Sequence, residues 1–373
     1  TRFTCVPVVH EVAAGIAVEY FNEAGGKGRA FAMVTAGPGV SNIITAMSGA
    51  WLESRELLVI AGQVKSEDLA TGGVRQRGIQ EIAGVGLAAP VAKHSVQMKK
   101  PMPKAEFVSL VNAGSSGRPG PVFIELCLDA QGAPTLKEDT VLVEPQGNAV
   151  ASETEIDLVV TQLKSAQRPI LLIGGGVSRN AARALQTELT SSGIPVMTTW
   201  NAADRVDAAH PSYLGRPNTW GQRAANLLVA QADLIIAVGT RLGMQQTGFN
   251  WQQFGRNAFV VHVDIDRSEL DKGHPKIDLQ ICADADDFLS QLLPKVQGDW
   301  EAWLSYARDV RGALPLNDSA NETSSGYLSP YSFYADLVRL SKPDDVIIPC
   351  SSGGANSVSM QVIEQKLGQV IIT

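Results

Sequence analysis

Short β-branched runs separated by segments of helical spacing recur along the whole chain, and this alternation restricts its fold more than any other feature. Toward the N-terminus the runs are CVPVV, AFAMVTA, ELLVIAGQV and PVFIEL, with helical spacing over Glu11 to Asn22 and Asn42 to Leu52. A second series holds PILLIGGG, IPVMTTW, ADLIIAVGT and FVVHVDID, with helices predicted at about Asn180 to Ser192 and Phe288 to Val296. From Pro330 the pattern is helix YSFYADLVRLS, strand DVIIPC, turn SSGGAN, another helix and strand VIIT. Strand then helix, repeated, predicts an α/β protein of successive Rossmann-like domains, each a parallel sheet with helices on both faces.

At 373 residues the chain is long for one domain. Leu136 to Ser152 is polar and aperiodic, with Pro145 and Gly147, and a second polar stretch contains LNDSANETSSG. The reading is a first domain over 1–135, a linker over 136–152, a second domain over 153–298, a linker over 299–329, and the start of a third domain over 330–373. No apolar run reaches the about 18 residues of a membrane span. A net charge of −7 argues against a nucleic-acid partner. The four cysteines, Cys5, Cys127, Cys282 and Cys350, stand far apart without CxxC pairing. Reduced thiols and a cytoplasmic location are therefore expected, with no metal site in the chain. The chain opens on TRFTCVPVV, read as mid-strand, and stops at GQVIIT, so a piece of a longer protein is expected.

Two features near the start carry chemistry. Glu11 follows an apolar run and opens a predicted helix, where the helix dipole favours an anion and apolar surroundings favour the acid. Such a carboxyl serves either as a proton shuttle or as support for a helix end. TAGPGVSN, Thr35 to Asn42, puts two glycines around a proline at the C-terminal end of a predicted strand, the edge where parallel sheets bind ligands. A plain tight turn is the alternative.

The run from His10 to Val64 together with GRPGPVFIEL, Gly117 to Leu126, resembles the pyrimidine-binding domain of thiamine-diphosphate enzymes of the acetolactate synthase and pyruvate oxidase group. RPILLIGGGVSRNAARALQTEL, GIPVMTTW and ADLIIAVGTRLG resemble that family's central, DHS-like domain, and KPDDVIIPCSSGGAN the opening of its diphosphate-binding domain. The resemblance implies that Glu11 hydrogen-bonds N1′ of the aminopyrimidine and relays its proton. It also implies that Gly37, Pro38, Gly39 and Asn42 close on the pyrimidine and that Gln63 lines the pocket. For Asn42 and Gln63, ordinary capping is the other reading. GIQEIAGVGLAAPVAKHS is similar to a segment written FQE and later KH, which places Gln80, Glu81, Lys93 and His94 on the second-substrate side, with Gln80 catalytic. Ile79 stands where that pattern has phenylalanine. Surface residues are the alternative for Lys93 and His94, and His210, His262 and His274 read as structural.

In the central domain the glycine turn Gly174, Gly175 and Gly176 is read as a phosphate cradle, and Asp264 and Asp266 in VDID as partners for a ribose hydroxyl. Relatives bind FAD in this domain, with the arginine at Arg118 contributing. Here Gly239 and Arg241 of GTRL are kept, while NTWGQRAANL and RLGMQQTG depart from the family's Met-His-Gly and RFDDRVTG-like segments. FAD, another nucleotide such as the ADP part of a coenzyme A, and an empty domain all stay open. Ser351, Ser352 and Gly353 are read as the first contacts to the coenzyme diphosphate, with a plain turn as the comparable reading. The family holds Mg2+ with a GDG motif and a later asparagine; Gly298–Asp299 is not such a motif, so the magnesium ligands lie outside this chain. The resemblance implies decarboxylation of a 2-keto acid, pyruvate as donor, with carboligation as in acetolactate synthase and branched-chain amino acid biosynthesis, in a homodimer or homotetramer. Another thiamine-diphosphate decarboxylase, lyase or keto-sugar carboligase is the alternative, as is a non-catalytic nucleotide-binding module.

Overall fold

The computed structural model describes residues 3–25, 28–134, 147–349 and 352–373, and the chain divides into two compact units, Thr1–Gly147 and Asn148–Thr373. In the first unit, strands β1 (Ala32–Val34), β2 (Leu57–Gln63), β3 (His94–Met98) and β4 (Pro121–Cys127) form a parallel sheet in the order β1-β2-β4-β3. Its helices are α1 (Glu11–Glu23), α2 (Pro38–Leu52), α3 (Gly84–Ala88), α4 (Lys104–Asn112) and α5 (Leu128–Gly132). β2 and β4 are buried along nearly their whole length, as near-continuous apolar runs in a two-sided parallel sheet must be. Val18 of α1 and Ile43 and Met47 of α2 join Val59 and Phe123 in the core.

One expectation fails here. CVPVV is not a strand: residues 3–9 are irregular and exposed, with Val9 wholly so. Pro7 offers no N–H to a ladder. His94, placed by the resemblance on the second-substrate side, opens strand β3, HSVQM.

The second unit holds β5 (Pro169–Ile173), β6 (Val196–Thr198), β7 (Leu234–Val238), β8 (Phe259–Asp264) and β9 (Leu279–Cys282), all parallel, in the order β6-β5-β7-β8-β9. Helices α6 (Glu153–Ser165), α7 (Arg179–Ala184), α8 (Gln186–Ser192), α9 (Arg223–Gln231), α10 (Met244–Thr247), α11 (Arg267–Asp271) and α12 (Ala285–Leu292) connect and flank them. Ser152 opens α6 with a reciprocal cap to Glu155. Of the 136–152 linker, residues 136–146 lie outside the described residues, as do Cys350 and Ser351.

The 299–329 segment, expected as a linker, carries helix α13 (Glu301–Ala313). Its Trp303, Leu304 and Ala307 fall on one helical face and are buried in the core of the second sheet. The third segment belongs to the same compact unit. Its α14 (Pro330–Leu340), β10 (Val346–Ile347), α15 (Gly353–Val362) and β11 (Val370–Ile371) bring Val338, Met360 and Ile371 against Trp200 and Ala203. The fully buried Arg216 guanidinium fastens this packing, donating to the Met360 carbonyl at 2.9 Å and to Gln365 Oε1 at 2.5 Å. Among the described residues no helix is long and apolar enough to cross a membrane.

Candidate active site

The N-terminal turns of α1 and α2 meet because a glycine lets them. A Cβ on Gly15 would collide with that of Ala46, so the two helices touch backbone to side chain at this point. One turn back along each helix stand Glu11 and Asn42, and Asn42 Nδ2 donates to Glu11 Oε2 at 3.0 Å. His10 caps α1 by accepting the Val12 amide on Nδ1. Two positive helix ends thus lie near one carboxylate. The Asn42 hydrogen bond, then the Glu11 amide, and more weakly His10, hold the carboxyl below its usual range. Among the described residues of the first unit no apolar pocket closes around Glu11: the residues before it are exposed and the side chain is only half-buried.

Gly37 ends the turn after β1 with φ 65°, and Pro38 starts α2 without a side-chain cap. A Cβ on Gly37 would lie 2.5 Å from the Gln80 carbonyl oxygen, so the two backbones touch. Gln80 itself has φ 58°, a left-handed conformation costly for a residue with a Cβ. Its side chain is exposed. Gly39 packs beneath Thr35, where a Cβ would meet Oγ1 at 2.7 Å. Gln63, 5% exposed at the end of β2, donates to the Ile82 carbonyl at 3.1 Å and accepts the Val64 amide at 2.9 Å. Glu81, also buried, accepts the amides of Ala70 at 2.5 Å, Arg77 at 2.9 Å and Gly78 at 3.0 Å, which draws its carboxyl below the usual range. Its work is to hold the loop.

Lys93 and His94 are not brought to this cluster. They sit at the N-terminal end of β3, the edge opposite Gln63, and the Lys93 ammonium donates to the Ser116 carbonyl at 2.5 Å. Arg118 Nε donates to Ser54 Oγ at 2.8 Å within the first unit.

In the second unit, the glycine turn is shaped by a neighbouring loop. Cβ atoms on Gly174 or Gly176 would collide with Gly239. The Gly174 and Gly176 amides donate to the carbonyls of Val238 and Gly239, each at 2.8 Å, so neither is turned to a phosphate. Asp264 Oδ1 accepts the Asp266 amide at 2.9 Å, and Asp266 Oδ1 caps α11 through the Ser268 amide at 2.9 Å. Arg241 follows Gly239 at the same sheet edge, and its carbonyl accepts the Lys272 ammonium. Ser352 and Gly353, φ 75°, open α15 with no side-chain cap, leaving its first turn exposed. A cavity of about 480 Å³ among α9, α13 and α14 contains none of the predicted site residues.

Sequence reasoning missed Gly15, whose small size joins Glu11 to Asn42, and Glu125, a wholly buried carboxyl on β4. The signal for Glu125 was present: a lone acid inside the apolar run PVFIEL. Among the described residues no cluster of three or more His, Cys, Asp or Glu is arranged to hold a metal ion.

Comparison with known proteins gives two family matches. Residues 1–87 match the thiamine pyrophosphate enzyme N-terminal TPP binding domain, and residues 156–292 the thiamine pyrophosphate enzyme central domain. Among similar proteins, the acetolactate synthase isozyme 1 large subunit of Escherichia coli is 33% identical over 310 residues, covering 82% of this chain and 53% of that protein. A probable acetolactate synthase large subunit of Methanocaldococcus jannaschii is 30% identical over 346 residues, covering 89% of this chain and 56% of that protein. The isozyme 2 large subunit of Escherichia coli is 32% identical over 313 residues, covering 80% of this chain and 54% of that protein. The chain spans about half the length of these relatives.

Proposed function

The chain belongs to the thiamine-diphosphate enzymes of the acetolactate synthase family, and from that premise we propose that the whole protein decarboxylates a 2-keto acid, with pyruvate as donor, and joins the two-carbon unit to an acceptor. The observation that carries this reading is the Glu11–Asn42 pair at 3.0 Å, set by the Gly15 crossing at the N-terminal ends of two helices. A carboxylate there, half-buried with one oxygen held by an amide, suits the aminopyrimidine ring of the coenzyme: the second oxygen can accept the hydrogen bond of a ring N–H. Gly37 lets a ring approach the backbone, and Gln63 and Gln80 would flank it. Thiamine diphosphate, when bound, supplies the electron sink that decarboxylation requires. Glu11 holds and passes one proton at Oε1, and Asn42 keeps Oε2 in place while it does so.

Ser352 and Gly353 at the uncapped start of α15 would meet the diphosphate, with Mg2+ held by ligands beyond this chain. FAD belongs to the proposal only at the edge bearing Gly239, Arg241, Asp264 and Asp266, since the glycine turn directs its Gly174 and Gly176 amides inward. A flavin absorbance band in the purified protein tests it. A homodimer or homotetramer is proposed, supported by exposed Val6, Val8, Val9 and Ile16 flanking Glu11 in sequence. A cytoplasmic location and a place in branched-chain amino acid biosynthesis follow from the same reading.

The test is incubation of full-length protein with thiamine diphosphate, Mg2+ and pyruvate. Acetolactate is the expected product; carbon dioxide without acetolactate points to another acceptor, and neither product rejects the proposal. Glu11→Gln should lower turnover by about 10²- to 10⁴-fold, because an amide hydrogen-bonds the ring but relays no proton.

A further inference from the structure

On one face of the first sheet below the Gln80 segment Glu125 and Gln63 are buried and Gln97 is half-buried, with Glu125 the central one of the three. Register sets Ala61 of β2 and Gln97 of β3 opposite Glu125 of β4. Glu125 is 0% exposed; Gln97 Nε2 donates to its Oε2 at 2.6 Å, while its Oε1 is buried without a hydrogen-bond partner. A Cβ on Gly84 would collide with that Oε1, so α3 starts in direct contact with the carboxyl. Gln63, two residues beyond Ala61 on β2, holds the Ile82 carbonyl. Residues 82–84 are therefore seated on Gln63 and Glu125, and the preceding residues carry Gln80, in its left-handed backbone, onto Gly37.

We propose that Glu125 is a positioning residue: wedged between Gln97 and Gly84, its carboxyl sets the height of the 78–84 segment above the sheet and so holds the Gln80 backbone against Gly37. It acts through Gly84 and Gln63 and is set apart from the reacting groups. Its consequence for turnover rests on the function proposed above, whereas the packing claim does not. Burial pushes the carboxyl above its usual range, the Gln97 amide bonded to Oε2 and, after it, the nearby Gln63 amide oppose this, and the Glu81 carboxylate reinforces it. The Cys127 thiol, itself raised by burial, lies further along the same strand with Asp129 and Lys99 near it. Ionised, Glu125 would be a buried charge with Oε1 lacking a hydrogen bond and with the Glu81 carboxylate adding repulsion, which favours lifting of the segment.

The experiment is amide hydrogen exchange over residues 76–86 of the full-length protein, corrected for intrinsic rates, between pH 6 and pH 10, for wild type, Glu125→Gln and Glu125→Leu. Glu125→Gln keeps an uncharged donor and acceptor of the same shape. Wild-type protection should fall about tenfold or more at the alkaline end, with no such fall in Glu125→Gln, and Glu125→Leu should lack the protection at every pH. Equal alkaline loss in wild type and Glu125→Gln, or no loss in wild type, overturns the proposal. Should Glu125→Leu fail to fold, the wild-type and Glu125→Gln comparison decides alone. Turnover of pyruvate, measured beside it, separates the two claims: no thiamine-dependent turnover in wild type rejects the proposed function and leaves the exchange result to judge Glu125.

Discussion

Asn42, more than burial, sets the titration of Glu11. Its amide donates to the carboxylate at 3.0 Å and leads the causes that hold Glu11 below the usual range. Asn42→Ala removes that donor, so an NMR titration of the Glu11 carboxyl should move upward relative to wild type; coincident curves contradict the assignment. A second titration concerns the fold of the other unit. Burial pushes His262 down to about 4, and its Nε2–H donates to the Thr240 carbonyl at 2.8 Å. The unfolded chain takes up the His262 proton from about pH 6.5 downward, the folded unit only near pH 4, so the unfolded state binds more protons in that window. Stability should therefore fall as pH is lowered through the window, by up to ~3 kcal/mol from this residue. Denaturant unfolding at pH 7 and pH 4.5 checks it, since His262→Asn should lose less stability than wild type between the two. Glu11 was legible as a residue because a lone acid opens an apolar helix. Its environment was not, since a hydrogen bond from Asn42, thirty-one positions away, decides the direction of its shift.

At the scale of elements, Gly15 controls how closely α1 and α2 approach. Gly15→Ala places a methyl where the Ala46 Cβ already lies, and overpacking of this kind costs roughly 1–3 kcal/mol. The helices must part, and the Glu11–Asn42 bond lengthens with them. A thermal midpoint below wild type, with coenzyme affinity weakened in the same variant, is the expected result; unchanged values contradict the crossing as the cause. Strands buried on both faces, such as LLVIAGQ and PVFIELC, were readable because burial makes them apolar throughout. β3 was hidden, since HSVQM sits with most residues half-buried and carries polar side chains that pair with its neighbours, Gln97 among them. CVPVV misled because β-propensity alone does not supply a partner for the ladder. α13 reads as a connection because its polar face dominates the sequence, although Trp303, Leu304 and Ala307 are core residues.

For the whole molecule, parallel α/β architecture was legible from alternation, and the family from the motifs in the N-terminal and central parts. What sequence spacing did not convey was which residues meet in space. Gly37 and Gln80 touch through backbones forty-three positions apart, whereas Lys93, close to Gln80 in sequence, lies at the far edge of the sheet. Gly174 and Gly176 pack against Gly239, so their smallness serves the approach of two loops. In the proposed function one carboxyl at the start of α1 is ionised while uncovered and would be protonated once a coenzyme ring excludes water from it. Calorimetric titration of full-length protein with thiamine diphosphate and Mg2+ near pH 7, in buffers of different ionisation enthalpy, counts that proton. Wild type should take up a proton on binding and Glu11→Gln should not. Equal proton uptake by the two proteins would contradict the claim that Glu11 is the acid that meets the coenzyme.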